Sequence, residues 1–175
     1  QAVLPIVLYN IPGNAGNAIT PAIADRLADL DNVVAIKESS GDWTNFHDTL
    51  LRVRDRIRVY CGPSSVFGVP ATLAGADGLI DCFPNVWEGC LDIWHATRAG
   101  RMEEAWALQR RGLAMTELFT TEERTLYPAT KAAINFMGLP GGGIPRPPLR
   151  ELTGAPLAGL KAGMDRLLAR PSKVA

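Results

Sequence analysis

Val33-Val34-Ala35-Ile36-Lys37-Glu38-Ser39-Ser40-Gly41-Asp42 is an apolar run of strand length that ends on a lysine and breaks into small polar residues and a glycine. Its β-branched content and abrupt end predict a buried strand of a parallel sheet, followed by a loop and a helix start. Alternation along a strand puts Val33, Ala35 and Lys37 on one face and Val34 and Ile36 on the other. The lysine is therefore expected to point where valine and alanine point, into packed interior at the carboxyl end of the strand. A lysine held away from water favours its neutral amine, and a neutral amine is a nucleophile for carbonyl carbons. The same position also suits a lysine that snorkels to solvent from a strand tip.

The preceding apolar run, Pro5-Ile6-Val7-Leu8-Tyr9-Asn10-Ile11-Pro12, reads as the neighbouring strand. By alternation Val7 and Tyr9 share a face. Parallel neighbours lie roughly 4.8 Å apart, which brings the Tyr9 phenol and the Lys37 amine to the same end. A phenol beside an imine-forming lysine can move the protons that carbinolamine formation and loss require. A tyrosine closing a strand can equally be an amphipathic lid.

Tyr9-Asn10-Ile11-Pro12 followed by Val34-Ala35-Ile36-Lys37-Glu38-Ser39-Ser40-Gly41-Asp42 resembles the dihydrodipicolinate synthase / N-acetylneuraminate lyase family. Cys61-Gly62-Pro63-Ser64, Gly75-Ala76-Asp77-Gly78-Leu79-Ile80 and Arg146-Pro147-Pro148-Leu149 continue the likeness in order. The resemblance implies a class I, Schiff-base aldolase or lyase on a TIM barrel, with Lys37 as the imine lysine and Tyr9 as the proton-relay tyrosine. It implies pyruvate or another 2-keto acid as substrate, with Gly62 and Ile80 presenting backbone groups to it. Ser39 joins the substrate-binding positions, and so does Asn14. In dihydrodipicolinate synthases the position of Asn14 carries an arginine that grips the second substrate's carboxylate, which an amide cannot replace. The substrate expected is therefore a sugar-derived or other 2-keto acid, with 4-hydroxy-tetrahydrodipicolinate synthase proper as the alternative. No metal or organic cofactor is implied, only a covalent imine on Lys37.

Composition narrows the partners. The 175 residues are 47% hydrophobic, enough for a core, and eighteen basic residues balance eighteen acidic ones. That balance gives no electrostatic case for nucleic acid or an anionic membrane. No apolar segment reaches the roughly 20 residues that span a bilayer. The start, Gln1-Ala2-Val3-Leu4, lacks the features of a signal peptide. Cys61, Cys82 and Cys90 have no C-x-x-C spacing, and His47 and His95 are too few for a metal centre, so a reducing cytoplasm is expected.

Along the chain, Gly13 to Gly16 reads as a loop, and Thr20-Pro21 as the cap of a short helix reaching about Asp31. Asp42 caps the next, with Trp43, Phe46, Leu50 and Val53 buried. Ile57–Cys61 is a third strand, Ser65 to Leu73 a helix, and Gly78–Cys82 a fourth strand. Strands alternating with helices mean a parallel sheet with right-handed crossovers. Helices are then expected over 86–99, 102–118, 122–136 (bent at Pro128) and 156–168.

An eight-stranded TIM barrel typically takes about 250 residues. Four strands and a helical tail therefore read as strands five to eight of the family barrel (residues 1–85) followed by a C-terminal helical region (86–175). The family's glycine- and threonine-rich carboxylate-binding turn belongs to the other half. The expected partners are thus a 2-keto acid, the N-terminal half of the barrel from the same or another chain, and further copies in a homo-oligomer. Alone, such a half would expose sheet edges and inward residues such as Val7, Val33, Ala35 and Val59, and aggregation is expected. Two other readings are a catalytically silent half-barrel with a structural role, and an open doubly wound sheet binding a ligand at its strand ends.

Overall fold

The apolar runs do become parallel strands joined by helices. In the computed structural model, which describes residues 4–168, β1 (Ile6–Asn10), β2 (Val33–Glu38), β3 (Arg58–Cys61) and the short β4 (Gly78–Leu79) form one sheet in the order β1-β2-β3-β4. All three pairings are parallel, so each connection must cross over, and helices supply the crossovers. These are α1 (Pro12–Ala15) and α2 (Pro21–Leu27) after β1, α3 (Trp43–Val53) after β2, and α4 (Ser64–Ala74) after β3. Capping follows the sequence. Thr20 accepts a hydrogen bond from the Ile23 amide at 3.3 Å, and Asp42 Oδ1 accepts from the Thr44 and Asn45 amides at 2.8 and 3.2 Å. The Gly13–Gly16 segment is not an open loop. Pro12 starts one helical turn there, its fixed φ suiting the first helical position.

The core lies on the helix side of the sheet. Ile36, Val59 and Cys61 pack against Ala24 of α2 and against Phe46, Leu50 and Val53 of α3. Side chains of this size stabilise by about 1.5–3 kcal/mol each when fully buried. One irregularity alters the expected alternation. Ile6 pairs with Val33 but Val7 pairs with Ala35, so Val34 is an extra residue in β2. Such a bulge flips the parity before it. Val33 therefore belongs to the helix-side core and not to the Lys37 face, while Val34 is exposed. Val59 is a second correction: its register partner is Ile36, which places it in the same core.

The opposite face is open. Val7 is 57% exposed and Tyr9 45%, and Lys37 is half-buried, so the packed interior expected around the lysine is not formed among the described residues. Ala35, small and flanked by neighbours, is buried nonetheless.

After a 3-10 turn at Phe83–Asn85 come α5 (Gly89–Arg98), α6 (Met102–Thr120), α7 (Leu126–Phe136) and α8 (Gly154–Leu168). Phe83, Met115, Phe119, Ala129, Leu160 and Met164 form their core. Leu113 of α6 is exposed. The helix expected from 122 starts at Leu126, because Glu122 and Glu123 adopt left-handed backbone at φ 50° and 63°. Pro128 then sits in the first turn, where a missing amide costs no intrahelical bond, and it has no bend to make. Among the described residues no helix is long and apolar enough to cross a membrane.

Candidate active site

Parallel register sets the central pair. Tyr9 is the direct partner of Lys37 across β1 and β2. Lys37 Nζ lies 3.1 Å from Tyr9 Oη, hydrogen-bonded to it, and 4.2 Å from the centre of the phenol ring. The next residue in each strand faces the other way and locks the strand ends together. Asn10 and Glu38 are each 1% exposed. Asn10 Nδ2 donates to Glu38 Oε1 at 2.7 Å and to the Ile19 carbonyl at 3.0 Å, and Asn10 Oδ1 accepts from the Ile19 amide at 2.8 Å. The Ser40 amide and Asn45 Nδ2 converge on the same glutamate oxygen at 3.0 and 3.2 Å. One carboxylate thus joins β1, the loop after β2 and α3, directly behind the amine–phenol pair.

The pair opens on a cavity of about 250 Å³. Its floor is the strand ends: Tyr9, Lys37, Ser39, Gly62 and Asp81. Gly62 has to be glycine there, since a Cβ would meet Ser39 Oγ at 1.5 Å and the Glu38 carbonyl oxygen at 2.7 Å. Pro63, Ser65 and Val66 at the start of α4 make one wall, and Thr116, Thr120, Leu126 and Tyr127 from α6 and α7 make the far wall. Of the residues expected at the site, Lys37, Tyr9, Gly62 and Ser39 line this cavity. Asn14 does not; it lies exposed on α1. Neither does Ile80, whose amide is spent on the Cys61 carbonyl at 2.9 Å.

Asp81 is a lining residue outside those expected at the site. Its Oδ2 accepts from the Ser65 amide at 2.7 Å and from Ser64 Oγ at 3.0 Å, and its Oδ1 accepts from the Cys82 amide at 2.7 Å. It therefore ties the end of the fourth strand segment to the first turn of α4. Thr116, Thr120 and Tyr127 are far-wall residues that sequence reasoning missed. Threonines four apart on a helix carry no signal of their own, and Tyr127 reads as an ordinary residue of a helix start.

Burial, and then the Asp81 charge, push the Cys82 and Cys90 thiols up to about 12. Cys61 is raised as well, first by burial and then by Glu38 and Asp81. The Tyr127 phenol is raised by burial first, then by the charges of Tyr9 and Cys82.

An amine hydrogen-bonded to a phenol at the carboxyl edge of a parallel sheet, over a cavity closed by later helices, defines an α/β protein with its site at the strand ends. The chain belongs to the dihydrodipicolinate synthetase family, whose sequence profile matches residues 1–164. The 4-hydroxy-tetrahydrodipicolinate synthase of Clostridium perfringens (strain ATCC 13124) is 35% identical over 85% of this chain and 50% of its own length. That of Alkalilimnicola ehrlichii is 36% identical over 86% and 50%. Among solved structures, the dihydrodipicolinate synthase of Thermotoga maritima superposes with a TM-score of 0.83 at 27% identity, covering 95% of this chain and 57% of that one. A prophage protein of E. coli K12 belonging to the dihydrodipicolinic acid synthase family, solved in complex with pyruvate, gives 0.85 at 25% identity with the same coverage. The chain spans about half the length of the curated relatives it matches.

Proposed function

We propose that this chain carries the imine-forming half of a Schiff-base lyase or aldolase acting on pyruvate or another 2-keto acid. The observation that carries the reading is Lys37 Nζ at 3.1 Å from Tyr9 Oη on the floor of the cavity. The amine attacks the keto carbon and a C–N bond forms. The carbonyl oxygen takes a proton, with Tyr9 as relay, and leaves as water once a second proton reaches it. The resulting imine is the electron sink for making or breaking a C–C bond. Only an amine can do this, because the intermediate must be a protonatable C=N. Gly62 and Ser39 contact the bound keto acid from the strand ends, while Ile80 and Asn14 lie outside the lining of the described cavity.

The sheet is assigned to strands five to eight of an eight-stranded barrel, with residues 86–175 as its helical extension. Three observations support this assignment: the open Val7 and Tyr9 face, the outer edges of β1 and β4, and the half-length match to relatives. The partners proposed are four further strands and additional copies of the whole protein. Asn14 in the arginine position favours a substrate without a second carboxylate at that point. A second reading, 4-hydroxy-tetrahydrodipicolinate synthase itself, is favoured by the names of the curated relatives.

The test of the imine is borohydride reduction of the complete assembly, this chain together with the other half of the barrel, in pyruvate, followed by peptide mapping. A reduced pyruvyl adduct is expected on Lys37 and lost in Lys37→Arg, whose guanidinium cannot be deprotonated. An adduct on another lysine, or none, overturns the assignment.

A further inference from the structure

The first turn of α4 is a wall of the cavity, and α6 grips the backbone of that helix. Gln109 on α6 accepts from the Val69 amide, with Oε1 at 2.8 Å. Its Nε2 donates to the Ser65 carbonyl at 2.6 Å and to the Ser64 carbonyl at 3.4 Å. One side-chain amide of α6 thus meets three backbone groups of α4, once as acceptor and twice as donor. Gln109 is 2% exposed, so water cannot substitute for it.

The same face of α6 holds the turn at two more points. Gly112 lies so close that a Cβ there would meet the Ser65 carbonyl oxygen at 2.8 Å. Thr116 Oγ1 bonds Ser65 Oγ at 2.9 Å. From the sheet side, Asp81 holds the Ser65 amide. Ser65 is therefore fixed through its amide, its carbonyl and its hydroxyl, and it follows within three residues of Gly62.

We infer that Gln109 is a positioning residue of the keto-acid site, setting the place of the first turn of α4 and so the shape of the cavity wall beside Gly62. The inference rests on the proposed imine chemistry for its substrate and on the hydrogen bonds alone for its mechanics. It makes Gln109, some seventy residues beyond Lys37, part of the site without lining the cavity.

The test uses the same complete assembly and two readouts. Gln109→Met keeps length and volume but removes all three hydrogen bonds. Gly112→Ala presses on the same carbonyl from behind. Met115→Ala, on the same helix but in the core it shares with Phe119, controls for a general loss of stability. Amide hydrogen exchange of residues 65–69, compared at matched global stability, should rise about tenfold in Gln109→Met, the effect of one lost buried hydrogen bond, and stay at the wild-type level in Met115→Ala. The pyruvate concentration for half-maximal borohydride trapping should rise in Gln109→Met and Gly112→Ala while the maximal amount trapped is kept. Met115→Ala should not move it.

If Gln109→Met matches Met115→Ala in both readouts, the inference is wrong. If Gln109→Met fails to fold, Gly112→Ala decides by the same criteria. If the wild type traps no pyruvate, the imine reading fails by itself and the exchange arm still decides whether Gln109 holds the turn.

Discussion

Replacing Glu38 tests whether the geometry of the amine–phenol pair is set from behind the sheet. In Glu38→Ala three donors lose their common acceptor: Asn10 Nδ2, the Ser40 amide and Asn45 Nδ2. The first bond is fully buried, and a hydrogen bond to a carboxylate in such a place is worth about 1.5–3 kcal/mol. The other two are partly buried, where water can replace the acceptor, and each is worth about 0.5–1.5 kcal/mol. The expected loss is about 3–5 kcal/mol, a large share of the 5–15 kcal/mol typical of a domain. Glu38→Gln keeps an oxygen for the converging donors and should cost about 1 kcal/mol or less. Urea unfolding of the full chain, compared at constant m, measures both. Asn10 follows Tyr9 and Glu38 follows Lys37, so Glu38→Ala should also slow pyruvate trapping on Lys37 even under conditions where the protein stays folded. A loss below about 1 kcal/mol, or unchanged trapping in the folded variant, would refute the reasoning.

Tyr9→Phe should lower turnover by about 10²–10⁴-fold with the fold retained; near-normal steady-state rates would reduce Tyr9 to a lid. With Asn14 in the arginine position, condensation of pyruvate with aspartate semialdehyde should be weak, and an efficient assay would return the chain to the synthase reading. Cys82, with its thiol at about 12, should carry roughly 10²–10³-fold less thiolate at pH 8 than an ordinary cysteine, so iodoacetamide should label the folded protein slowly. Raised thiol pKa values mean that the unfolded chain ionises first: stability is full below about pH 9 and lost as pH climbs toward about 12. A melting temperature that stays flat from pH 7 to 11 would contradict that sign.

The part of the site that could be read from sequence is the part governed by short-range rules. Two parallel strands, a side-chain period of two and a shared carboxyl end suffice to bring Tyr9 to Lys37. The same rule misplaced Val33 because a bulge at Val34 interrupts the period, and nothing in a run of valines announces an extra residue. It misplaced Val59 because residue parity within one strand does not give the register between strands, and here Val59 pairs with Ile36. The far wall lay further out of reach. Thr116 and Thr120 come to the cavity because α6 packs on α4, where a glutamine amide meets three backbone groups 40, 44 and 45 residues away, and Tyr127 comes to it from the next helix, α7. Hydrophobic periodicity predicts that α6 is a helix with a buried stripe, but it prices Gln109 as a polar residue that should face water. Its burial is acceptable because α4 offers it one amide and two carbonyls as partners. The Lys37–Tyr9 pair is thus encoded locally and the cavity around it tertiarily, so under the proposed function variants on α6 are expected to change which keto acid binds before they change whether Lys37 can react.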